Sequence, residues 1–330
     1  MKTEHHPFFT ITTPTYNRAH LLPVLFKSLL SQTFKDFEWV IGDDGSTDNT
    51  QELIKSFIKN ADFPIIYLRL EHGGKYNACN EMIKHISGEY VVGIDSDDEL
   101  FAKDTLKDIF DTIYNLPKDK TFWGVGCQFI SQDGKIFPPL DTDYIDIDKD
   151  TFFKLFTLKP YMLNYFSVIK AEYIKPHEHK DTDNLAYYPE IVDILLSVLQ
   201  SKDYRIRLFK KNWYKYNMYQ PDSVTVLCKD SVVFWIETVA IINLFYQYGL
   251  DKKYPQFIHI KLNELGRKIY KQKGFKATLN ALKSNKAKKY FIYAATLRRF
   301  LRFLFLIDKQ INRIKVYLFG IKIMAFKRNY

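Results

Sequence analysis

The stretch of sequence that decides the fold lies at residues 88–100 and reads GEYVVGIDSDDEL. Within it, residues 91–94 form a short, largely β-branched apolar run, which predicts a buried strand. Four of the five residues that follow this run are acidic. Because strands of an open α/β sheet present ligand groups at their carboxyl ends, we expect Asp95 and Asp97 to leave the sheet edge close together.

Two neighbouring carboxylates at such an edge repel each other unless a cation or a shared proton lies between them. Their oxygens are hard ligands that suit Mg²⁺ or Mn²⁺, and Mg²⁺ is commonly held by one or two carboxylates together with substrate phosphates. One interpretation is therefore a divalent metal that holds a diphosphate. The other is a solvated acidic turn that caps the next helix, because short acidic runs are common.

Strands and helices alternate on both sides of this stretch. Pro14 is expected to end the first strand, since proline has no N–H to offer a sheet, and Ser46, Thr47 or Asp48 is expected to cap the second helix. Short links between such elements favour an α/β fold with a doubly wound, mostly parallel sheet. The predicted strands are residues 8–13, 37–42, 65–68 and 91–94, and the predicted helices are residues 19–32, 48–59, 74–86 and 103–114.

The patterns beyond residue 114 are weaker. The pair Asp133-Gly134 is a favoured hairpin turn and predicts two strands within residues 122–137. His177 and His179 fall in a polar segment that predicts an exposed loop rather than a metal site. The remaining assignments are a polar, acidic link at residues 138–150, a helix at residues 191–200 and a strand at residues 204–216.

Charge divides the chain into two parts. Residues 226–330 hold 22 Lys and Arg against 5 Asp and Glu, a net charge of +17, whereas residues 1–225 hold 26 against 33, a net charge of −7. We therefore predict a catalytic domain at residues 1–225 and a basic, aromatic-rich, mostly helical region at residues 226–330. Such a basic region favours contact with a polyanionic surface, either a membrane or a nucleic acid.

Three segments of the basic region bear on membranes. Residues 232–250 are apolar for about the length of a membrane span, but Glu237 and several aromatic residues favour a buried helix. Residues 268–289 are lysine-rich and amphipathic, and residues 291–307 predict a basic amphipathic helix suited to an anionic membrane interface. The alternatives are a helix docked on the catalytic domain, a contact between copies of the chain, and nucleic-acid binding through aromatic stacking.

Cysteine usage and the amino terminus predict the compartment. The three cysteines, Cys79, Cys127 and Cys228, are far apart and show neither zinc-site spacing nor a disulfide framework. Residues 1–6 contain no apolar core of signal-peptide length. We therefore expect a cytoplasmic protein whose basic region holds it at the inner face of the cell membrane.

Five motifs follow one another at the exits of the predicted strands and in the helices between them. They are TPTYNR at residues 13–18, SLLSQT at 28–33, DDGSTD at 43–48, GGKYNACN at 73–80 and DSDD at 95–98. On these motifs the chain resembles glycosyltransferase family 2, densely over residues 8–115 and more thinly to about residue 220. The resemblance implies a GT-A fold and an inverting transfer from a nucleotide-activated sugar, usually a UDP-sugar, as in bacterial synthesis of surface polysaccharides such as capsule and lipopolysaccharide.

The resemblance also implies roles for residues of these motifs. Tyr16 would offer a stacking face to the nucleotide base, and Asp44 would accept a hydrogen bond from a base N–H or cap a helix, or both. Asp97 would ligate Mn²⁺ or Mg²⁺ directly, with Asp95 beside it on the metal or the ribose. The residues implied for nucleotide-sugar binding are Thr13, Pro14, Tyr16, Asp43, Asp44, Lys75, Asn80, Asp95, Ser96 and Asp98.

Inversion at the anomeric carbon needs one general base that takes the proton of the attacking hydroxyl. In the family this base is an Asp or Glu downstream of the metal motif, often at the start of a helix, and Glu190 after Tyr188-Pro189 resembles it. The glycine that often follows this Pro-Glu pair is replaced here by Ile191. The other candidates are Asp193 and the loop residues Asp181 and Asp183.

The sequence contains no Gln-x-x-Arg-Trp element of the kind that processive synthases of the family carry. We therefore expect transfer of a single sugar to a glycan or to a lipid-linked oligosaccharide. A nucleotidyltransferase is a poorer fit, because residues 13–18 lack the glycines of a phosphate loop. A catalytically degenerate membrane-surface scaffold is disfavoured by the intact acidic motif and the candidate base.

Overall fold

The computed structural model of the chain describes residues 6–174, 190–217, 232–268, 274–285, 287–289 and 291–292, and the backbone of residues 305–308, 313–318 and 321–327. The chain divides into two compact units, Met1–Lys229 and Asp230–Tyr330. The predicted loop with His177, His179, Asp181 and Asp183 lies outside the described residues.

The predicted alternation of strands and helices is confirmed in the first 114 residues. The short strand β5 directly follows the acidic stretch and was absent from the prediction. The strands are β1 (Phe9–Thr15), β2 (Phe37–Asp43), β3 (Ile65–Arg69), β4 (Tyr90–Gly93) and β5 (Glu99–Leu100), and the helices are α1 (Leu22–Leu30), α2 (Thr50–Asn60), α3 (Lys75–Ile83) and α4 (Thr105–Tyr114).

The rest of the first unit extends the sheet. The predicted hairpin is present, with Gly134 at φ 80° in its turn. The elements are β6 (Gly124–Ser131), β7 (Ile136–Phe137), β8 (Tyr144–Asp148), α5 (Lys149–Leu158), β9 (Phe166–Lys170), α6 (Glu190–Gln200) and β10 (Arg205–Tyr216), with short 3-10 turns at Pro160–Leu163 and Ala171–Tyr173.

The segment predicted as a polar, acidic link, residues 138–150, contains β8 and the start of α5. Asp146 lies on β8 and accepts two hydrogen bonds from the Arg207 guanidinium of β10, at 2.6 and 2.8 Å. Asp148 caps α5 by accepting from the Thr151 N–H at 2.8 Å. Asp146 and Asp148 of the predicted link therefore stabilise a strand pair and the start of a helix.

One sheet runs through the first unit in the order β3-β2-β1-β4-β9-β6-β10-β5, with β7 paired to β6 and β8 to β10. Strands β3, β2, β1 and β4 are parallel neighbours. Strand β9 runs antiparallel between β4 and β6, and β6 is parallel to β10. The carboxyl ends of β1, β2, β4 and β10 therefore share one edge of a mostly parallel sheet.

Strand β1 continues through Pro14 to Thr15, so the prediction that Pro14 ends it is wrong. The last residue of β1 paired with β4 is Thr12, whose carbonyl accepts from the Ile94 N–H at 3.0 Å. The backbone nitrogen of Pro14 faces the same side as that of Thr12, where β4 has already ended. The missing proline N–H thus leaves no ladder position unfilled, while Thr15 still accepts from the Asp44 N–H at 2.9 Å.

Aromatic and branched side chains fill the space between the sheet and its helices. Leu22, Leu25 and Leu29 recur at helical spacing on α1 and are fully buried. The rings of Phe26 and Phe57 stack with centroids 4.1 Å apart, which joins α1 to α2. Burial of one such side chain contributes about 1.5–3 kcal/mol, so this layer holds the strand exits in fixed positions.

The second unit combines helices with a small sheet. The long apolar segment forms a buried helix, in which Ile242 and Phe245 are fully buried and the Asn243 side-chain amide donates to the Ala281 carbonyl at 3.1 Å. Among the residues with described structure, no helix is long and apolar enough to cross a membrane. The helices whose bounds lie within the described residues are α7 (Val232–Gln247), α8 (Leu250–Lys253), α9 (Pro255–Lys268) and α10 (Gly274–Ala281).

The carboxyl-terminal part of the second unit departs from the helical prediction. Strands β11 (Phe305–Asp308), β12 (Arg313–Leu318) and β13 (Ile321–Lys327) form an antiparallel sheet. The predicted helix at residues 291–307 is therefore wrong at its end, and residues 293–304 lie outside the described part. Residues 313–318 alternate basic or aromatic with apolar side chains, a period of two that favours a strand over a helix.

Strands β6 and β9 approach each other closely at Gly124. A Cβ added to Gly124 would lie 2.0 Å from the Val168 carbonyl oxygen, whereas one added to Gly93 would meet only the Thr12 hydroxyl at 4.0 Å. We expect Gly124→Ala to lower the free energy of unfolding by about 3 kcal/mol, because backbone cannot yield as a side chain can. Gly93→Ala should change it by less than about 1 kcal/mol. Equal urea midpoints for the two variants would contradict this packing.

Candidate functional site

The exits of β1 and β2 are tied together by short polar contacts. Asn17 follows β1 with φ 53°, a left-handed conformation that Asn tolerates better than most residues. Its N–H donates to the Ser46 hydroxyl at 2.9 Å, and its side-chain oxygen accepts from the Thr47 N–H at 2.8 Å. Asp48 accepts from the Thr50 N–H at 3.1 Å at the start of α2. Asn49 holds the cap position itself, one residue beyond the predicted candidates.

The exit of β4 carries the predicted acidic cluster, which consists of Asp95, Asp97 and Asp98. Each of the three offers a carboxylate oxygen within 4.8 Å of the others. Asp95 and Asp97 are half-buried, Asp98 is 1% exposed, and Ser96 is buried. Three hard oxygen donors at this spacing fit a Mg²⁺ or Mn²⁺ ion, so the cluster suits the metal that the sequence predicted.

Two basic side chains contact this cluster. Arg18, which follows β1, places Nη1 3.0 Å from Asp97 Oδ2. Lys75, the first residue of α3, places Nζ 3.0 Å from Asp95 Oδ1. Lys75 was predicted to bind the nucleotide sugar, but no role was assigned to Arg18, although it lies in the first motif. Carboxylates of the kind that bind a divalent cation therefore lie next to cations of the kind that pair with phosphates.

Tyr214 of β10, and Asn217 directly after this strand, form hydrogen bonds with the acidic cluster. The Tyr214 hydroxyl donates a short hydrogen bond to Asp98 Oδ2, and the Asn217 N–H donates to Asp98 Oδ1 at 2.8 Å. The Asn217 side chain donates to the Asp97 carbonyl, and the Tyr214 oxygen accepts from the Asp95 N–H at 3.4 Å. Tyr214 and Asn217 were not predicted, because they lie more than a hundred residues downstream.

Burial dominates the electrostatics of the cluster. Desolvation raises the pKa of Asp98 to about 7, against the lowering effect of the hydrogen bonds from Asn217 and Tyr214. Desolvation and the neighbouring Asp95 charge likewise raise the pKa of Asp97, while Arg18 opposes the shift. The cluster therefore favours a proton or a bound cation over three bare carboxylates.

The two aspartates at the carboxyl end of β2, Asp43 and Asp44, accept hydrogen bonds from other groups of the protein. Asp43 is fully buried and accepts from the Ser46 N–H at 2.8 Å and from the Tyr67 hydroxyl at 2.5 Å. Asp44 accepts from the Gly73 N–H at 2.8 Å and the Gly74 N–H at 2.9 Å. Asp44 thus occupies the amino terminus of α3, and its predicted contact with the base stays a prediction.

The predicted base-stacking residue already has a ring against it. Tyr16 is 41% exposed, and its ring stacks on the His72 ring with centroids 4.3 Å apart and 21° between planes. His72 was not predicted, and its Nδ1 lies 2.9 Å from Asp44 Oδ2. The Tyr16 and His72 rings thus form one surface at the β1 and β2 exits, and the buried Asp44 carboxylate contacts the His72 ring.

The remaining residues predicted to bind the nucleotide sugar are Thr13, Pro14 and Asn80. Thr13 is fully buried and accepts from the Trp39 indole N–H at 2.9 Å, which gives it a packing role. Pro14 is half-buried in β1. Asn80 lies on α3 five residues after Lys75, about 140° around the helix at 3.6 residues per turn, so the two are not on one face.

The candidate general base has a described backbone only. Glu190 is the first residue of α6, which agrees with a base at the start of a helix. The side chains of Glu190 and Asp193 lie outside the described part of the chain, as do Asp181 and Asp183. The identity of the base therefore stays a prediction.

The raised pKa of Asp98 makes stability depend on pH. Its pKa lies above the value of about 3.9 for an unfolded aspartate, so this group favours the folded state at low pH, and that contribution is lost as the pH rises from about 4 to about 7. Asn imitates the neutral carboxyl. In EDTA we expect Asp98→Asn to raise the free energy of unfolding by about 2 kcal/mol at pH 8 and by less than about 1 kcal/mol at pH 4.5.

Asp148→Asn is the matched control for this measurement. The hydrogen bond from the Thr151 N–H lowers the pKa of Asp148, so its charged form is already favoured in the folded protein. Asn can still cap α5, and no gain in stability at pH 8 is expected. Urea unfolding at both pH values checks the pair, and a gain for Asp98→Asn that is equal at pH 4.5 and pH 8 would contradict the assignment.

Comparison with known proteins places this geometry in a family. Residues 10–176 match the family model of Glycosyl transferase family 2. A GalNAc(5)-diNAcBac-PP-undecaprenol beta-1,3-glucosyltransferase of Campylobacter jejuni is 25% identical over 255 residues, which is 76% of this chain and 79% of that protein. A PGL/p-HBAD biosynthesis glycosyltransferase of Mycobacterium bovis is 37% identical over 100 residues, which is 30% of this chain and 39% of that protein.

Solved structures agree with the fold. The crystal structure of Staphylococcus aureus TarS 1-349 in complex with UDP-GlcNAc is 17% identical and aligns over 97% of this chain and 99% of that one, with a TM-score of 0.55. The complex of the same protein with UDP gives a TM-score of 0.53 at 19% identity. This likeness confirms the expected GT-A fold. Since the family model spans half of the sequence, including four of its strand exits, the chain belongs to glycosyl transferase family 2.

Proposed function

We propose that this glycosyltransferase moves one sugar from a nucleotide-sugar donor, a UDP-sugar, to a hydroxyl of a glycan or lipid-linked oligosaccharide, with inversion at the anomeric carbon. The observation that carries the proposal is the meeting of Asp95, Asp97 and Asp98 with Arg18 and Lys75 at one sheet edge. A sugar diphosphate needs cations, and a divalent cation needs carboxylates, so both requirements are met by neighbouring side chains.

Relatives support the choice of donor and acceptor. TarS was crystallised with UDP and with UDP-GlcNAc, which favours a uridine nucleotide for a chain of the same fold. The Campylobacter jejuni relative is named for glucosyl transfer to a glycan on PP-undecaprenol, which favours a lipid-linked acceptor. The surface formed by the stacked Tyr16 and His72 rings suits a planar base.

The residues have distinct tasks in this reaction. Asp97 and Asp95 would hold Mn²⁺ or Mg²⁺, which supplies neutralisation of the negative charge on the departing diphosphate. Glu190 takes the proton from the acceptor hydroxyl as that oxygen attacks the anomeric carbon from the face opposite the diphosphate. Tyr214 and Asn217 keep the acidic cluster in place through hydrogen bonds to the Asp98 carboxylate and to the Asp97 carbonyl. Arg18 and Lys75 orient the diphosphate.

The proposal is tested by hydrolysis and transfer assays with a panel of nucleotide sugars in Mn²⁺ or Mg²⁺. We expect turnover with a UDP-sugar, a loss of about 100-fold or more in Asp97→Ala, and a similar loss of transfer in Glu190→Gln with donor binding retained. Asp111→Ala, which removes an exposed ion pair with Lys107, is the matched control and should be fully active.

The outcomes separate the parts of the proposal. A wild-type protein that neither binds nor hydrolyses any donor with either metal would remove the enzyme assignment and leave a scaffold of polysaccharide assembly. Undiminished transfer by Glu190→Gln would remove that residue as the base. Equal activity in EDTA would remove the metal while leaving glycosyl transfer in place.

We also propose that the basic carboxyl-terminal region, residues 226–330, contacts an anionic membrane surface. Its net charge of +17 supports this, because each basic residue near such a surface adds about 1 kcal/mol of attraction. This contact would bring the active site to a lipid-linked acceptor.

Vesicle pelleting tests the membrane contact. The full chain should sediment with phosphatidylglycerol vesicles but not with phosphatidylcholine vesicles, and less so at high salt. Replacing Lys283, Lys288 and Lys289 with Glu should weaken sedimentation, whereas the same change at Lys55, Lys59 and Lys84 in the first unit should have little effect. Oligonucleotide binding tighter than vesicle binding at matched salt would favour the nucleic-acid alternative.

A further inference from the structure

Arg18 lies next to Asp97, one of the carboxylates that we propose to bind the metal. Its guanidinium is 3.0 Å from Asp97 Oδ2, and the two side chains are only 14% and 16% exposed. An arginine side chain keeps its charge at any accessible pH, so Asp97 already has a cation beside it before any ligand arrives. A metal ion and Arg18 therefore compete for the same carboxylate.

The backbone around Arg18 is fixed. Its carbonyl accepts from the N–H groups of Leu21 at 2.9 Å and Leu22 at 3.2 Å, at the start of α1. The preceding residue, Asn17, is held in its left-handed conformation by Ser46 and Thr47. Arg18 is thus anchored on both sides, and its side chain reaches the β4 exit from a rigid turn after the neighbouring strand.

We infer that Arg18 is a positioning residue that couples the binding of metal to the binding of the donor diphosphate, an inference that rests on the proposed function. A metal ion that takes Asp97 displaces the guanidinium from it. A diphosphate bound at the same edge offers oxygens to which the displaced guanidinium can donate in the paired geometry that arginine prefers. Metal alone therefore binds weakly, and metal with diphosphate binds strongly.

Lys75 acts in the same direction on the neighbouring carboxylate. Its ammonium is 3.0 Å from Asp95 Oδ1, but the two side chains are 36% and 45% exposed, so water screens this pair more than the Arg18 pair. Most of the coupling therefore belongs to Arg18. Because coupling between two ligands is reciprocal, the diphosphate must tighten metal binding by the same factor by which metal tightens diphosphate binding.

Binding of Mn²⁺ with and without UDP tests the inference. Free Mn²⁺ is measured by electron paramagnetic resonance, and UDP binding by calorimetry, with no turnover required. In the wild-type protein UDP should tighten Mn²⁺ binding by about 5-fold to 150-fold, the usual range of coupling. In Arg18→Gln, Mn²⁺ alone should bind several-fold tighter than to the wild type, while the tightening by UDP should shrink to about 2-fold or less.

Two further variants keep the test decisive. Arg18→Lys retains a cation without the planar fork, and an intermediate coupling factor is expected. Lys84→Gln removes an exposed ion pair with Glu81 on α3 and should match the wild type in every measurement. A variant that merely loosened the site would weaken Mn²⁺ binding, so tighter binding of Mn²⁺ alone distinguishes coupling from structural damage.

The inference and the proposed function fail differently. If the wild type binds neither Mn²⁺ nor UDP, the proposed function fails. If both bind and Arg18→Gln shows unchanged affinity for Mn²⁺ alone, or the same tightening by UDP as the wild type, the coupling role of Arg18 is overturned and the proposed function stands.

Discussion

Repulsion among three carboxylates at one sheet edge is the constraint on which the rest of the site depends. Two unit charges 4 Å apart interact by about 4 kcal/mol at an effective dielectric constant of 20, so Asp95, Asp97 and Asp98 cannot crowd together without an answering charge or proton. The fold supplies basic side chains from the turn after β1 and from the start of α3, and hydrogen-bond donors from a distant strand. This edge of the sheet is thus a balance of opposing charges.

The acidic residues at the two strand exits are used differently. The carboxylate oxygens of Asp43 and Asp44 accept hydrogen bonds from backbone N–H groups and from a tyrosine hydroxyl. These bonds hold the loops after β2 and before α3 in place. Asp95 and Asp97 instead pair with the charged side chains of Lys75 and Arg18. Similar carboxylates therefore accept hydrogen bonds from the protein backbone at one exit and form ion pairs with cationic side chains at the next.

The sequence predicts local features well and distant contacts poorly. Apolar runs and short links predict β1 to β4 and the edge at which Asp95, Asp97 and Asp98 gather, because parallel strands align their carboxyl ends. The hydrophobic period of the sequence does not show that β10 lies beside β6. The roles of Tyr214 and Asn217 were therefore not predicted. The prediction that Pro14 ends β1 was wrong because the effect of a proline depends on where the neighbouring strand ends. The acidic residues before α5 were assigned to a link because the sequence does not show their partners on other strands of the sheet.

The contact between β10 and the acidic cluster has a consequence for biosynthesis. All five sequence motifs lie within the first hundred residues, but the hydrogen bond from Asn217 to Asp98 spans 119 positions. At ordinary synthesis rates those residues emerge roughly 6–24 s apart, so the nascent chain displays its whole acidic motif well before the strand that braces it exists. The acidic cluster is thus braced only after the last strand of the sheet has been made, which ties the ordering of this edge to the completion of the domain.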